Sequence, residues 1–165
     1  MVRQAAESTK VRVVYDASAK PNNNAPSLNE CLETGPPLQN LIWDVLARNR
    51  VRPISLAGDL KQAFLQIRIK EEDRDVLRFH WIKDRDRENI ETFRFTRALF
   101  GLNQSPFLLG ATIEEHMRSK EAEFPAEVEE IRHSIYVDDI LLSGETQSNM
   151  EELKDRYSYK DFQCS

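Results

Sequence analysis

Residues 135–142 read Ile-Tyr-Val-Asp-Asp-Ile-Leu-Leu. Two apolar runs, Ile135-Tyr136-Val137 and Ile140-Leu141-Leu142, flank the pair Asp138-Asp139, the pattern of two short strands joined by a tight turn. Adjacent carboxylates at such a turn repel, and their pKa values rise unless a cation neutralises them. A divalent, oxygen-seeking metal would do so. A bare Asp-Asp is far more often a solvated turn, so the pair alone decides little. Asp59 shifts that balance. It closes the stretch 54–59 (ISLAGD), which reads as a mostly buried strand. If that strand lies beside the Asp138-Asp139 hairpin, three carboxylates share one edge of a sheet. Three carboxylates can hold two Mg2+ ions roughly 4 Å apart, an arrangement suited to in-line phosphoryl transfer. Such chemistry needs no protein nucleophile.

Working outward, residues 11–16 (VRVVYD) read as a strand and 20–26 (KPNNNAP) as a loop. Thr34-Gly35-Pro36-Pro37 breaks the chain. Leu38, Leu41, Ile42, Val45 and Leu46 then recur at helical spacing, which predicts a helix to about Arg48. Lys61–Phe64 (KQAF) reads as a short helical turn and 71–77 (EEDRDVL) as a charged surface turn or short helix. The segments RFHWIK and IETFRFTR predict a β-hairpin about the polar DRDREN. After an irregular loop at 98–104, Ser105 is placed to cap a helix with Pro106 at its first position, running to about Lys120 with Phe107, Leu108, Ala111 and Met117 inward. Residues 121–130 read as a solvated connection with a short helix, and Thr146 as the cap of a last one. Helices and antiparallel strands without regular βαβ alternation predict an α+β fold.

The chain has 165 residues, 40% hydrophobic and 31% charged, and lacks an apolar run long enough to span a bilayer, so no membrane partner is expected. Its formal net charge of -5 argues against a surface that grips nucleic acid everywhere, though not against a local basic patch. Arg48, Arg50 and Arg52 are one such cluster, equally well read as a solvated helix end. Cys31 and Cys164 form no CxxC pair or disulfide framework, and the polar N-terminus lacks a signal-peptide core; a reducing compartment follows. His80, His116 and His133 show no metal-ligand spacing. Glu114-Glu115-His116 reads as an exposed helix face, and Asp84, Asp86 and Glu88 as a solvated hairpin tip. Neither GxxxxGK[ST] nor GxGxxG is present.

Three motifs, in order, carry a resemblance. Tyr136-Val137-Asp138-Asp139 resembles the YxDD motif of reverse transcriptases. Asp59-Leu60-Lys61-Gln62-Ala63-Phe64 resembles their first catalytic motif, and Leu99-Phe100-Gly101-Leu102-Asn103-Gln104-Ser105-Pro106 their FGLxxxP loop. RVVYDASAK, SLNECLETGPPL, EEDRDVLRF and FRFTRALFGLNQSPFLLGATI are similar to the BEL/Pao class of long-terminal-repeat retrotransposons, so that the likeness spans about residues 11–157.

The resemblance implies an RNA- and DNA-templated DNA polymerase with the fingers (roughly 1–30 and 67–104) and a partial palm (roughly 31–66 and 105–165) of a right-hand fold. It implies that Asp59 and Asp138 bind Mg2+ (with Mn2+ as a substitute), that Asp139 completes the triad, and that the Leu60 carbonyl is a backbone ligand. Phe64 would be the steric gate against a ribose 2′-hydroxyl. Phe100, Gly101 and Tyr136 would meet nucleotide or template, and Arg12 a nucleotide phosphate, with Lys20 as a second candidate. The implied partners are primer–template, deoxynucleoside triphosphates and the rest of a Pol polyprotein: protease, thumb, RNase H and integrase. With thumb and RNase H regions expected to be missing, the expectation is a fragment, located in the cytoplasm or in virus-like particles. A rival expectation is an inactive or co-opted retrotransposon remnant that binds nucleic acid or protein.

Overall fold

The computed structural model describes residues 15–83 and 89–158, the side chains of 155–158 excepted. The chain divides into two compact units: 1–34 with 64–105, and 35–63 with 106–165. Mixed helices and antiparallel strands give the α+β class expected.

The second unit holds the acidic residues. Its helices are α2 (Ile42–Asn49), α4 (Ser105–Lys120, whose first residue belongs to the other unit), α5 (Pro125–Ser134) and α6 (Gln147–Ser158). They accompany a three-stranded antiparallel sheet of β1 (Ile54–Asp59), β4 (Ile135–Tyr136) and β5 (Asp139–Gly144), in the order β1-β5-β4. Met117, Val128 and Ile131 form a buried cluster against Ile113, Ile135 and Ile140, joining α4 and α5 to β4 and β5. Pro125 opens α5, where a missing N–H costs nothing. That helix is longer and better packed than a solvated connection: the Glu-rich spacing hides Val128 and Ile131, three residues apart on one face.

Several expectations need correction. The helix expected from residue 38 begins at Ile42, and of the proposed apolar face only Val45 is fully buried. Leu38, Leu41 and Ile42 are exposed. β1 is an edge strand paired by β5 alone, half-buried at Ile54 and Leu56 and exposed at Ala57, Gly58 and Asp59, so it is not the mostly buried strand expected. In α4, Met117 is inward as expected, but Leu109 is the other buried apolar residue, while Phe107, Leu108 and Ala111 are half-buried. Thr146 does cap α6, accepting the Asn149 N–H at 3.3 Å.

The first unit contains α1 (Leu28–Cys31), most of α3 (Ala63–Gln66), a 3-10 helix at Glu71–Leu77, and the hairpin β2 (Arg78–Ile82) with β3 (Ile90–Arg94). The hairpin register pairs Arg78 with Arg94 and Ile82 with Ile90. Asp75 ties the 3-10 helix to both strands, lying 2.7 Å from Arg78 and 2.9 Å from Arg94. Ala17, Leu77, Leu99 and Leu102 make the core, with Tyr15 and Phe95 packed on it. The strand expected at 11–16 falls mostly outside the described residues, and Tyr15 and Asp16 are not in a strand. The hairpin tip at 84–88 also lies outside them.

Candidate active site

The register of the three-stranded sheet gathers the acidic residues. Asp59, the last residue of β1, pairs with Asp139, the first of β5. Tyr136 of β4 pairs with the same Asp139 from the other side. Val137 and Asp138 are therefore the two central residues of the β4–β5 turn. A further backbone bond ties the strands, from the Leu60 N–H to the Asp138 carbonyl at 2.8 Å. The sheet thus brings Asp59, Asp138 and Asp139 to one end.

The turn has a feature that the sequence reading missed. Val137 has φ +59°, whereas the favoured two-residue hairpin turns place glycine, asparagine or aspartate where φ is positive. A β-branched residue in that region is a true outlier and stores strain. The carboxyl of Asp138 is pushed above the ordinary aspartate range, first by burial and then by the negative charges of Asp59 and Asp139. Asp59 and Asp139 are exposed, and Asp138 is part-buried.

Carboxylate oxygens are the donors that Mg2+ takes, and the mutual influence of these three marks a place where a divalent cation would relieve repulsion. Among the described residues, no three acidic, His or Cys side chains converge closely enough to share one ion. The donor chemistry therefore fits, while a closed ligand set is not formed. The Leu60 carbonyl accepts the Ala63 N–H at 3.0 Å, which leaves it a second lone pair.

In the first unit, Phe64 is 5% exposed, and its ring meets that of Phe100 at 4.5 Å between centroids. Phe64 is thus a packed core ring, and Phe100, 58% exposed, is its cover. Gly101 has φ +92°, and a Cβ there would meet the Tyr15 carbonyl at 3.0 Å. Asn29 holds this loop. Its amide donates to the Gly101 carbonyl at 2.9 Å and to Ser18 Oγ at 3.1 Å, and its Oδ1 accepts the Asn103 N–H at 3.0 Å. Ser105 is not a helix cap, because its hydroxyl turns back to the Leu99 carbonyl at 2.5 Å.

The basic candidates fare differently. Arg12 lies outside the described residues. Lys20 is spent on Glu30 at 2.7 Å. Arg52 donates to the Ser143 carbonyl at 3.1 Å, which makes it a brace for β5. Glu114-Glu115-His116 is not one exposed face: Glu114 pairs with Arg132 at 3.3 Å, and burial, then Lys120, lowers the His116 pKa.

Missed altogether were two asparagines in the second unit. Asn40 donates to the carbonyls of Arg132 and Ile135, and Asn49 to that of Leu142. Their partners are more than ninety residues away, so no local pattern marks them. Asn29 sits inside Ser27-Leu28-Asn29-Glu30, a capping-box spacing that could have flagged the segment.

An α+β fold whose sheet delivers three carboxylates to one end, one of them on a strained turn, has the form of a carboxylate-centred catalytic domain. The family model for reverse transcriptase (RNA-dependent DNA polymerase) matches residues 10–158, nearly the whole sequence. The chain belongs to that family, a family of RNA-directed DNA polymerases. No curated protein matches the sequence.

Proposed function

We propose that this chain is the catalytic portion of a BEL/Pao-type reverse transcriptase. It would extend a primer 3′-hydroxyl with deoxynucleotides on an RNA or DNA template. The observation that carries the reading is the pairing of Asp59 with Asp139 beside the turn residue Asp138, in a member of this family. Asp59 and Asp138 would hold Mg2+, with Asp139 completing the acidic set and the Leu60 carbonyl as a further oxygen. When bound, the metal pair supplies an activated hydroxyl and charge stabilisation at the departing pyrophosphate.

The chain's own residues do the rest. The sheet register places the three acidic residues at one end of the sheet. Tyr136, on the short arm of the hairpin, would face the primer end. Phe64 under Phe100 would exclude a ribose 2′-hydroxyl by filling its space, which is selection by rejection rather than attraction. Gly101 would let template or nucleotide approach the backbone closely, and Arg12 would meet a phosphate. The unit of 1–34 and 64–105 would be the fingers, and that of 35–63 and 106–165 part of the palm. A thumb, RNase H and the other Pol regions would be supplied in the complete polyprotein, in the cytoplasm or in particles.

A second reading is a catalytically silent remnant that binds nucleic acid or protein. The acidic side chains that do not converge on one point favour it. Primer extension on RNA with Mg2+ separates the two, using this chain and a version carrying its natural downstream sequence. Extension abolished by Asp138→Asn is the expected result. Folded proteins that never extend, or a mutant that extends normally, would overturn the polymerase reading.

A further inference from the structure

We infer that Asn40 is a positioning residue for the catalytic turn, an inference that rests on the polymerase reading of Asp138. Its side-chain amide donates to the Arg132 carbonyl at 2.8 Å and to the Ile135 carbonyl at 2.9 Å, in a part-buried setting. Both amide hydrogens are thereby used. Arg132 lies in the last turn of α5, where the helix cannot satisfy its own carbonyls. Ile135 opens β4, just before Tyr136. One side chain therefore spans the junction at which α5 becomes the arm of the hairpin.

That arm needs outside support. β4 has only two residues and pairs with β5 alone, so its own ladder is short. The next residue, Val137, holds φ +59°, a conformation that persists only where the surroundings enforce it. Two bonds from outside the hairpin bracket the turn: Asn40 before it, and the Leu60 N–H on the Asp138 carbonyl within it. The base from which Asn40 acts is itself anchored. Arg132 pairs with Glu114 at 3.3 Å and with Glu121 at 3.1 Å, fixing the end of α5 to α4 and the segment after it.

Asn49 provides an internal control. Like Asn40 it makes two bonds, both away from the turn: its amide donates to the Leu142 carbonyl in the middle of β5 at 2.9 Å, and its Oδ1 accepts from the Ser55 hydroxyl of β1 at 2.9 Å. A merely structural role predicts that the two asparagines behave alike. A positioning role predicts that they separate.

The test compares wild type, Asn40→Ala and Asn49→Ala in the full-length protein. Three quantities are read: kcat and nucleotide KM in primer extension, thermal stability, and hydrogen exchange of the Leu60 amide. Asn40→Ala removes two hydrogen bonds and is expected to lower kcat about tenfold, the scale of the one to Ile135 being expressed in the transition state, with KM within about twofold. It is also expected to speed Leu60 exchange by a similar factor. Asn49→Ala should lose comparable thermal stability with kcat and Leu60 exchange within about twofold of wild type. Should Asn40→Ala not fold, Asn40→Ser is measured in the same way. Equal kcat losses in the two asparagine variants, or unchanged Leu60 exchange in the Asn40 variant, would overturn the inference. A wild type that never extends would instead refute the polymerase reading, and Leu60 exchange alone would then decide whether Asn40 positions the turn.

Discussion

Gly101 and Val137 both take a left-handed backbone, yet they meet that demand with opposite residues. At Gly101, φ is +92° and a Cβ would stand 3.0 Å from the Tyr15 carbonyl, so glycine relieves strain and crowding together. At Val137, φ is +59° on a β-branched side chain, for which that region is costly. The glycine loop of the first unit is relaxed and held by the amide of Asn29. The acidic turn of the second unit is strained and held by the backbone of Leu60 and the amide of Asn40. Strain that other bonds sustain sits next to Asp138, the carboxyl whose pKa is raised by burial and by its acidic neighbours. The contrast separates a loop built for close approach from a turn built to present charge.

Substitution at the charged turn should cost the most. Asp138→Asn should lower templated extension by about a thousandfold or more, the order expected when several kcal/mol of metal-mediated stabilisation is lost. The same change should make the fold slightly more stable. A carboxyl whose folded pKa is raised favours the fold while protonated, and that contribution is lost as pH rises through the folded value. At neutral pH the ionised group therefore opposes the fold, and an amide does not. A mutant both inactive and less stable in thermal melts would break the contrast between presented charge and fold.

Gly101→Ala comes next. It should destabilise the first unit by about 1–2 kcal/mol, because an L-residue must take the positive φ and displace the Tyr15 carbonyl. Denaturant unfolding reads this directly, and a neutral substitution would show that the loop is not constrained as described. Val137→Gly should do the reverse on a smaller scale. Relief of strain is offset by the entropy of glycine, leaving a net gain of about 0.5 kcal/mol or less. A loss of stability would mean that the valine side chain outweighs its backbone cost. It lines a cavity of about 200 Å3 with Leu38, Gly110 and Met117, so such packing is available.

Phe64→Val tests whether a core ring of the first unit also selects the sugar. The ring is buried beneath Phe100, so the change should cost stability and also admit ribonucleotides in extension assays. Lost stability with unchanged sugar selection would leave Phe64 as a core residue alone. The smallest effect concerns acid. Asp75 has a pKa lowered by hydrogen bonds from Arg94 and then Arg78, so its contribution is present above the ordinary aspartate range and fades as pH falls through the lowered value. Asp75→Asn should flatten the acid limb of the stability profile slightly, and an unaltered limb would exclude the pair from it.

The elements that the sequence made legible are those with strong local patterns. Apolar runs about Asp138-Asp139 gave the hairpin, and the helix from Ser105 to Lys120 followed from its start signal and length. Even there the start signal was misread, since the Ser105 hydroxyl serves Leu99 instead of its own helix. The 54–59 strand was legible as a strand but not as an edge, because composition cannot say on which sides a strand is covered. That Asp59 would lie beside the Asp138-Asp139 hairpin was legible from three motifs in order, which together are specific where a bare Asp-Asp is not. The asparagine braces were not, because an asparagine is marked only by the carbonyl that it meets, and those carbonyls lie far along the chain. Nor does a valine in a sequence announce a positive φ; the strain appears only once both strands are paired.

The polymerase reading requires the sheet end bearing Asp59, Asp138 and Asp139 to hold a divalent cation. The most direct test is the thermal stability of wild type and Asp138→Asn across a Mg2+ titration at constant ionic strength. A cation bound only by the native site raises stability with its concentration. A rising melting temperature is expected for wild type, with a flat or much weaker response for the mutant. Equal responses in the two proteins would contradict it.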